Sequence, residues 1–328
     1  MEQRIQFTGK GAVSLARFEL AAPGPAEVEV RAICSLISTG TELIVLHRVF
    51  DPGSHWDCWV KYPFHPGYAM VGEVTKIGAA VTTLRCGDRV ACRTAHATAT
   101  VLPAEHCHLV PDGIPSDLAC WFALAKIAAM GARVANYGLG TSVAVIGAGP
   151  VGQMSARWAL AAGADPVFLV DTVKMRLALA CRNGGFTPVC APIDAAIPAI
   201  SEATKGRMAD VVIDSTGHPA VFASALGVVA DRGRLVLLGD TGSPGEQRLT
   251  KDLLLRGLTV VGAHDSHEDS SWNSRKIVPL FFKLHLSGRF RLDGMITHRF
   301  QPGDCAEAYR TASERRAETM GIVFDWNA

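Results

Sequence analysis

The sequence has almost no net charge. Its 32 Lys and Arg nearly balance its 31 Asp and Glu, and charged residues make up only 19% of the 328 residues. A near-neutral chain gives no electrostatic reason to expect nucleic acid or an acidic surface as a partner. Because 48% of the residues are hydrophobic, the chain is predicted to be globular rather than disordered. Its length suits two domains of ordinary size.

Long hydrophobic runs are missing as well. The first residues, MEQRIQFTGKG, lack the apolar centre of a signal peptide. No uninterrupted apolar run approaches the ~18 residues that a membrane-spanning helix needs. The sequence therefore predicts a soluble, cytoplasmic protein that does not contact a membrane and acts on a small-molecule substrate.

Cysteines are present but do not cluster. The nine cysteines are scattered between positions 34 and 305, and no two have Cys-x-x-Cys spacing. The odd number, without a secretion signal, indicates free thiols in a reducing compartment. The spacing also argues against a four-cysteine zinc site.

The sequence does contain a glycine turn between a predicted strand and a predicted helix. The apolar run 142–146 stops at Gly147-Ala148-Gly149-Pro150-Val151-Gly152, and an alanine-rich stretch, 153–162, follows. In such a turn the first glycine allows the tight bend and the second lets a pyrophosphate approach bare backbone. The third lets the helix pack closely on the strand, and the helix start presents N–H groups to phosphates.

A second strand, 166–170, supports this interpretation because it ends on Asp171. A carboxylate there accepts hydrogen bonds from an adenosine ribose. Asp171 would repel a 2′-phosphate, so NAD is favoured, although Lys174 and Arg176 leave NADP open. The residues predicted to bind the cofactor are Gly147, Gly149, Pro150, Val151, Gly152, Asp171, Thr172, Arg176, Ser215, Thr216 and Gly239.

The chain changes character near residue 122. Short alternating runs separated by Gly and Pro predict a mostly β domain over 1–122. Strands alternating with helices then predict a doubly wound parallel sheet in a dinucleotide-binding domain, 123–265; its strands are predicted at 143–146, 166–170, 210–214, 234–238 and 258–263. The segment 266–328 is expected to return to the first domain.

Several motifs in order resemble those of the medium-chain dehydrogenase/reductase superfamily, which contains the zinc alcohol dehydrogenases and zinc-free relatives. The matching segments are 39–42, 65–74, 87–90, 147–152, 210–214 and 233–239. The resemblance implies a GroES-like catalytic domain completed by the C-terminal segment, a Rossmann domain and a nicotinamide cofactor. It also implies a homodimer or homotetramer, assembled through the edge strand near 258–262. The segments 38–42 and 66–68 further resemble the branch that contains bacteriochlorophyllide dehydrogenases.

The resemblance also shows what has changed. Where the zinc enzymes have Cys-Gly-Thr-Asp and Pro-Gly-His-Glu, this chain has Thr39-Gly40-Thr41-Glu42 and Pro66-Gly67-Tyr68-Ala69, and the third ligand position falls near Phe122. A catalytic zinc needs three ligands of Cys, His or carboxylate type. The comparison with the family therefore implies a zinc-independent enzyme.

Without zinc, a side chain must handle the proton that accompanies hydride transfer. Lys126 interrupts an apolar helix and, by the resemblance, faces the nicotinamide. A lysine in an apolar setting has a lowered pKa, as an acid or base requires. The competing interpretation is a packed stem whose amine reaches water or a carboxylate.

Tyr68 replaces the ligand histidine, so its phenol is a second candidate. A nearby Lys126 would make the phenolate more accessible, whereas the competing interpretation is a buried structural tyrosine. Thr39 and Thr41 are expected either to orient substrate and relay the proton or to stabilise a turn. Glu42 is expected to pair with Lys126 or an arginine.

Aromatic residues are dense between Phe50 and Phe64. Trp56 and Trp59 would either form a wall against a planar substrate or belong to a small core under a loop. His65 and His264 are further candidates for substrate contact, although a histidine in a polar loop, such as His264, is also typical of solvated surface.

Three functions remain open from the sequence. The first is an oxidoreductase for an alcohol/ketone pair, its substrate a ring-bearing alcohol or a polyol. The second is a reductase of an activated C=C bond, and the third is a nucleotide-binding protein without catalysis.

Overall fold

The computed structural model describes residues 1–182 and 184–327, and these form two compact units. We name the two units by their position along the chain. The outer unit, which contains both ends of the described chain, consists of Met1–Ala123, Val278–Leu286 and the residues from Gly294 on. The central unit consists of Leu124–Ile277 and Ser287–Asp293.

The first part of the outer unit is mostly β. Its strands are β1 (Glu2–Gly9), β2 (Ala12–Phe18), β3 (Glu27–Leu36), β4 (Met70–Ile77), β5 (Arg89–Cys92), β6 (Ala99–Pro103) and β7 (Cys107–Leu109). Its helices are α1 (Thr39–His47), α2 (His55–Trp59) and α3 (Ser116–Ala119).

Strands and helices alternate in the next part of the chain. The helices are α4 (Phe122–Ala135), α5 (Pro150–Ala161), α6 (Lys174–Cys181), α7 (Ile193–Ala203), α8 (Pro219–Val228) and α9 (Lys251–Leu255). The strands are β8 (Val143–Ile146), β9 (Val167–Asp171), β10 (Thr187–Cys190), β11 (Ala209–Asp214), β12 (Val229–Leu237) and β13 (Thr259–Gly262). The chain ends with α10 (Ser274–Leu286), β14 (Ile296–Phe300), α11 (Cys305–Glu314) and β15 (Gly321–Asp325).

The sheet of the central unit has the strand order β10-β9-β8-β11-β12-β13, and every neighbouring pair in it is parallel. This is the doubly wound order, with the topological switch point between β8 and β11. Val143 and Val145 pack into the core on one face, and Ala144 and Ile146 pack into the core on the other. Because both faces are covered, β8 is an uninterrupted apolar run. The predicted α/β fold is confirmed.

The C-terminal strand completes the sheet of the outer unit. This sheet has the order β14-β15-β3-β4-β5-β7, with β6 also paired to β3. β15 lies antiparallel to β3, and Val323 is opposite Leu36. The C-terminal segment therefore returns to the N-terminal β structure, as the sequence predicts.

Two boundaries differ from the sequence prediction by more than one residue, and β10 was not among the predicted strands. β12 begins at Val229 rather than at residue 234, because Val229 pairs with Ala209 before the β11–β12 pairing is interrupted. The residues Asp231-Arg232-Gly233 are typical of a turn, so the sequence did not predict this first part of the strand. The central unit continues past 265 to Ile277, because the polar segment 264–273 is bonded to α4, as described below.

One helical stretch of the described residues, Ser116–Ala135, is long and apolar enough by length and composition to cross a membrane. Most of it, 72% of its most apolar window, is buried inside the protein, as in the core helix of a globular domain.

Candidate functional site

The glycine turn lies at the end of β8, beside the switch point of the central sheet. Gly147 has φ +89°, and a Cβ there would lie 2.8 Å from the Thr216 side chain. A Cβ on Gly152 would lie 1.8 Å from the carbonyl oxygen of Gly147, so α5 can start this close to the strand only with glycine. A Cβ on Gly149 would meet no atom within 4 Å. The backbone at Gly149 is therefore open to a ligand.

The start of α5 is suited to an anion. Pro150 is its first residue, where a missing N–H costs no helical hydrogen bond. No side chain caps this helix start, so the N–H groups of its first turn, including that of Val151, are directed at the space above the turn. The turn and the helix start together fit the pyrophosphate of a dinucleotide.

Asp171 is fixed next to this turn. Its Oδ2 accepts a hydrogen bond of 2.7 Å from the Ala148 amide, and its Oδ1 accepts one of 2.8 Å from the Val173 amide. The Arg176 guanidinium lies 3.5 Å from Oδ2. Thr172, the next residue, is exposed. The structure thus brings Asp171, Thr172 and Arg176 to the edge of the sheet where the glycine turn lies.

The ends of β11 and β12 close the other side of the turn. The Ser215 hydroxyl donates to the carbonyl oxygens of Ile146 at 2.8 Å and Gly147 at 3.0 Å. Thr216 donates from its hydroxyl to the buried Asp214 carboxylate at 2.6 Å, and burial raises the pKa of that carboxyl. A Cβ on Gly239 would lie 2.2 Å from a neighbouring backbone nitrogen. All the residues predicted to bind cofactor lie at this one edge of the central sheet.

Lys126 is in α4 and only 4% exposed. Its ammonium lies 2.7 Å from Asp265 Oδ1 and 2.8 Å from Glu268 Oε1, and it also donates to the Asp265 carbonyl. The prediction that Lys126 lies in an apolar environment is therefore wrong for its ammonium group, which lies beside two carboxylates. The competing interpretation, an amine that reaches a carboxylate, describes this lysine.

The segment 264–273 follows α4 along one face of the helix. Besides the ion pairs at Lys126, the Trp272 indole N–H donates to the Ala129 carbonyl at 3.1 Å, and the Arg133 guanidinium lies 5.8 Å from the Trp272 ring centroid. His264 is exposed and bonds within its own loop, to Ser266 Oγ at 2.7 Å. The segment is thus held by α4 at three successive places.

Tyr68 lies in the outer unit against the start of α1. Its hydroxyl donates to Ser38 Oγ and lies 3.4 Å from Thr41 Oγ1, while the Arg93 guanidinium lies 4.9 Å from its ring centroid. Burial raises the pKa of Tyr68; the Ser38 and Thr41 hydroxyls partly offset this, and the charge of Glu42 adds to it. The prediction of an accessible phenolate is wrong, since this phenol is held in its neutral form.

Glu42 is fully buried one turn into α1. Its carboxylate accepts hydrogen bonds from the Ser38 amide at 2.7 Å, from His96 Nε2 at 3.1 Å and from the Tyr309 hydroxyl. The expected pairing with Lys126 or an arginine is replaced by these three donors. His96 and Tyr309 were not identified from the sequence, because neither residue belongs to a motif. The one available signal was Glu42 itself, since a buried carboxylate needs donors.

The positions that the resemblance assigns to zinc ligands hold Thr39, Tyr68 and Phe122. Thr39 is the first residue of α1, the Tyr68 hydroxyl is engaged with two other hydroxyls, and Phe122 is a buried hydrocarbon side chain. Over residues 1–182 and 184–327, no group of three or more His, Cys, Asp and Glu could hold a metal ion. This donor set does not match that of a catalytic zinc.

The aromatic stretch 50–64 is mainly a local core. Trp56 is 4% exposed, packs in an apolar cluster and stacks on Phe50 with centroids 6.4 Å apart. Trp56 is therefore a core residue rather than a wall for substrate. Trp59 is 54% exposed and packs edge-on against Phe64 at 5.1 Å. His65 is half-buried, and burial lowers its pKa, as does the charge of Arg4.

The comparisons with known proteins agree with this architecture. A model described as alcohol dehydrogenase GroES-like domain matches residues 24–157, and one described as zinc-binding dehydrogenase matches residues 150–275. An L-threonine 3-dehydrogenase from Bacillus licheniformis is 28% identical, over 75% of this chain and 79% of the relative.

Solved structures have the same fold. The 2R,3R-butanediol dehydrogenase from Bacillus subtilis aligns with a TM-score of 0.82 at 19% identity, over 99% of both chains. A zinc-binding dehydrogenase from Sinorhizobium meliloti, solved with NADP, aligns with a TM-score of 0.81 at 19% identity, also over 99% of both chains. The two domain matches and the dehydrogenase relative support the medium-chain dehydrogenase/reductase superfamily for this chain, and the solved structures share its fold.

Proposed function

We propose that this protein is a nicotinamide-dependent oxidoreductase for an alcohol/ketone pair, with a ring-bearing alcohol or a polyol as substrate. The observation that carries the proposal is the open glycine turn at the switch point, with Asp171 fixed beside it. A nicotinamide cofactor bound there would supply or accept the hydride. The L-threonine 3-dehydrogenase relative, whose name states an alcohol dehydrogenation, supports the reaction class.

We infer NAD rather than NADP as the preferred cofactor. A carboxylate at the end of the second strand accepts hydrogen bonds from ribose hydroxyls and repels a 2′-phosphate. Asp171 is fixed in this position by two backbone amides. Arg176 is the cation that would favour NADP, but it lies 3.5 Å from that carboxylate and is partly neutralised by it. Fluorescence titration with NADH and NADPH tests this, and tighter NADPH binding would refute it.

We further propose that the reaction does not use zinc. Support comes from the side chains at the three ligand positions, which offer a hydroxyl, a phenol and a phenyl ring. On this proposal the chain belongs to a zinc-free branch; the resemblance of the segments 38–42 and 66–68 to bacteriochlorophyllide dehydrogenases supports it. Metal analysis of active protein by mass spectrometry is the test: stoichiometric zinc, together with loss of turnover on chelation, would overturn zinc independence.

Tyr68 and Lys126 are our candidates for handling the proton. The neutral phenol of Tyr68 carries one proton, which Ser38 Oγ accepts here; to act as the acid, the phenol would turn this O–H from Ser38 to the oxygen of a reacting carbonyl. Lys126 holds a positive charge, fixed by Asp265 and Glu268, that would stabilise negative charge developing on the substrate oxygen. If the two act in the same step, the effects of Tyr68→Phe and Lys126→Met on turnover will not add in the double variant.

Transfer of label from deuterated NADH tests the reaction type directly. The protein is incubated with a panel of cyclic and open-chain ketones and enones, and the products are examined by NMR. Deuterium at a carbinol carbon supports the proposal, whereas deuterium at a β-carbon indicates reduction of a C=C bond. Binding of NADH without turnover of any compound would indicate a nucleotide-binding protein.

We also propose that the protein forms a homodimer through the edge of the central sheet. β13 is the last strand of the order, so its outer edge is unpaired among the described strands. Leu254 and Leu255, in the helix just before it, are 85% and 74% exposed, as is typical of residues covered by a partner. Sedimentation analysis should give a dimer for the native chain and a monomer for Leu254→Lys/Leu255→Lys.

A further inference from the structure

His96 is completely buried in the outer unit and contacts two separate segments. Its backbone N–H donates to the Pro66 carbonyl at 2.8 Å. A Cβ on Gly67 would lie 2.8 Å from its ring, so the ring packs directly on the turn that carries Tyr68. Its Nε2 lies 3.1 Å from Glu42 Oε2 on α1. His96 thus joins the turn before Tyr68 to the helix that begins after Ser38.

The proton positions in this cluster follow from its donors. The Trp326 indole N–H donates to Ser35 Oγ at 2.9 Å, and Ser35 Oγ lies 2.7 Å from His96 Nδ1. If the Ser35 hydroxyl donates to Nδ1, then Nε2 carries the proton and donates to Glu42, and every polar group is satisfied. In this arrangement Nδ1 accepts from Ser35 and Nε2 donates to Glu42.

Glu42 connects His96 to the start of α1, because its carboxylate contacts both His96 Nε2 and the Ser38 amide. Ser38 is the N-cap residue of this helix, but its side chain makes no capping bond. The Glu42 carboxylate instead accepts the Ser38 amide at 2.7 Å, which fixes the helix start as in a capping box. The Ser38 hydroxyl, which caps no backbone N–H of this helix, accepts the hydrogen bond of Tyr68.

We propose that His96 is a positioning residue for the Tyr68–Ser38 hydroxyl pair. It holds Tyr68 through the turn at Pro66 and Gly67, and it holds Ser38 through Glu42. This inference rests on the proposed function, because positioning matters for turnover only if Tyr68 handles the proton. A displacement of ~1 Å at such a pair can lower turnover about a hundredfold.

Two substitutions of His96 distinguish its contact through Nε2 from its contact through Nδ1. A glutamine side chain places an N–H where Nε2 lies, so His96→Gln keeps the donor to Glu42. An asparagine side chain reaches only as far as Nδ1, so His96→Asn loses that donor. We expect His96→Asn to lower kcat about tenfold or more, with KM and the affinity for NADH nearly unchanged, and His96→Gln to restore kcat to within about threefold of the native value.

Fluorine NMR, which does not depend on turnover, tests the positioning role of His96 separately from the proposed function. The chain has four tyrosines, so uniform labelling with 3-fluorotyrosine gives four fluorine resonances, and Tyr68→Phe assigns that of Tyr68. This resonance should shift in His96→Asn and less in His96→Gln. A native protein without turnover would refute the proposed function, while the fluorine spectra would still decide whether His96 positions Tyr68.

Glu29→Gln is the matched control in the same unit. Glu29 is a buried carboxylate that accepts Thr75 Oγ1 at 2.8 Å and Lys76 Nζ at 2.6 Å, and it has no part in the Tyr68 network. An unmoved Tyr68 resonance in His96→Asn would overturn the inference. Equal losses of kcat in His96→Asn, His96→Gln and Glu29→Gln would do so as well, since they would show only a general loss of stability.

If His96→Asn does not fold, Ser35→Ala is the milder second variant. It removes the partner of His96 Nδ1 with a small change in volume and leaves Glu42 untouched. It should shift the Tyr68 resonance in the same direction by a smaller amount, and no shift in a folded Ser35→Ala variant would count against the inference.

Discussion

Asp171 Oδ2 accepts a hydrogen bond of 2.7 Å from the Ala148 amide, which ties the end of β9 to the glycine turn after β8. Asp171 ends β9, and Ala148 follows β8, the neighbouring parallel strand, so one carboxylate both stabilises the turn and faces the side where a ribose would bind. Asp171→Ala should therefore weaken NADH binding about tenfold to a hundredfold, as expected for the loss of hydrogen bonds to a charged group. Fluorescence titration measures this, with the exposed Asp112→Ala as the control for loss of one negative charge.

Gly149 and Gly152 should respond differently to alanine. A Cβ at 152 would meet a carbonyl oxygen at 1.8 Å, whereas a Cβ at 149 would meet nothing within 4 Å. Gly152→Ala should lower Tm by several degrees. Gly149→Ala should keep the native Tm but lose affinity for NADH, because its methyl group occupies the space over the open backbone. Equal Tm losses in both variants would contradict this assignment of roles.

Tyr68→Phe tests the proton-transfer proposal with the smallest change. Removing the hydroxyl should lower kcat about a hundredfold, the usual contribution of a positioned acid or base, while NADH affinity stays unchanged. Tyr62→Phe is the control: its hydroxyl donates to the Val45 carbonyl at 2.8 Å, outside the Tyr68 network. Native turnover in Tyr68→Phe would remove Tyr68 from the mechanism.

Lys126 is best tested with two replacements. Lys126→Met removes the charge proposed to stabilise the substrate oxygen, so kcat should fall at least tenfold. It also removes the cation that Asp265 and Glu268 share, so hydrogen exchange over 264–273 should become faster. Lys126→Arg keeps the charge and should keep this segment protected. If Lys126 acts as a fixed charge, the arginine variant retains turnover; loss of turnover with a protected segment would instead indicate that the amine itself transfers the proton.

Tyr137 predicts a pH dependence of stability. Its hydroxyl is buried without a hydrogen-bond partner among the described residues, and burial raises its pKa. The unfolded chain would ionise this phenol near pH 10 while the folded chain would not, so its contribution to stability is complete below that pH and is lost as the pH rises above it. Tyr137→Phe should be about 1 kcal/mol more stable at pH 7 and should lose less stability above pH 10 in urea unfolding. If Tyr137→Phe lost as much stability above pH 10 as the native protein does, this account would be contradicted.

Much of the central unit could be predicted from the sequence. The positions of β8, the glycine turn and Asp171 follow from hydrophobic runs, glycine geometry and short spacings, all of which act between near neighbours in the chain. β12 shows the limit of such signals, because turn-forming residues in its interior concealed its first part.

The candidate catalytic residues were less predictable. The type and position of Lys126, Tyr68 and Glu42 could be read from the chain, but their partners could not. Glu42 is bonded to residues 54 and 267 positions away, and Lys126 is bonded to a carboxylate 139 positions away. No local pattern specifies such pairs.

The sequence by itself determined that this protein has a dinucleotide-binding fold, because the glycine turn and Asp171 depend on residue type at short, fixed spacings. Only the tertiary structure decided the charge environments. Burial of Tyr68 near Glu42 keeps the phenol neutral, and two carboxylates hold the Lys126 ammonium. The physical reason is that desolvation and charge pairing depend on distances in space, which folding sets between residues far apart in the chain.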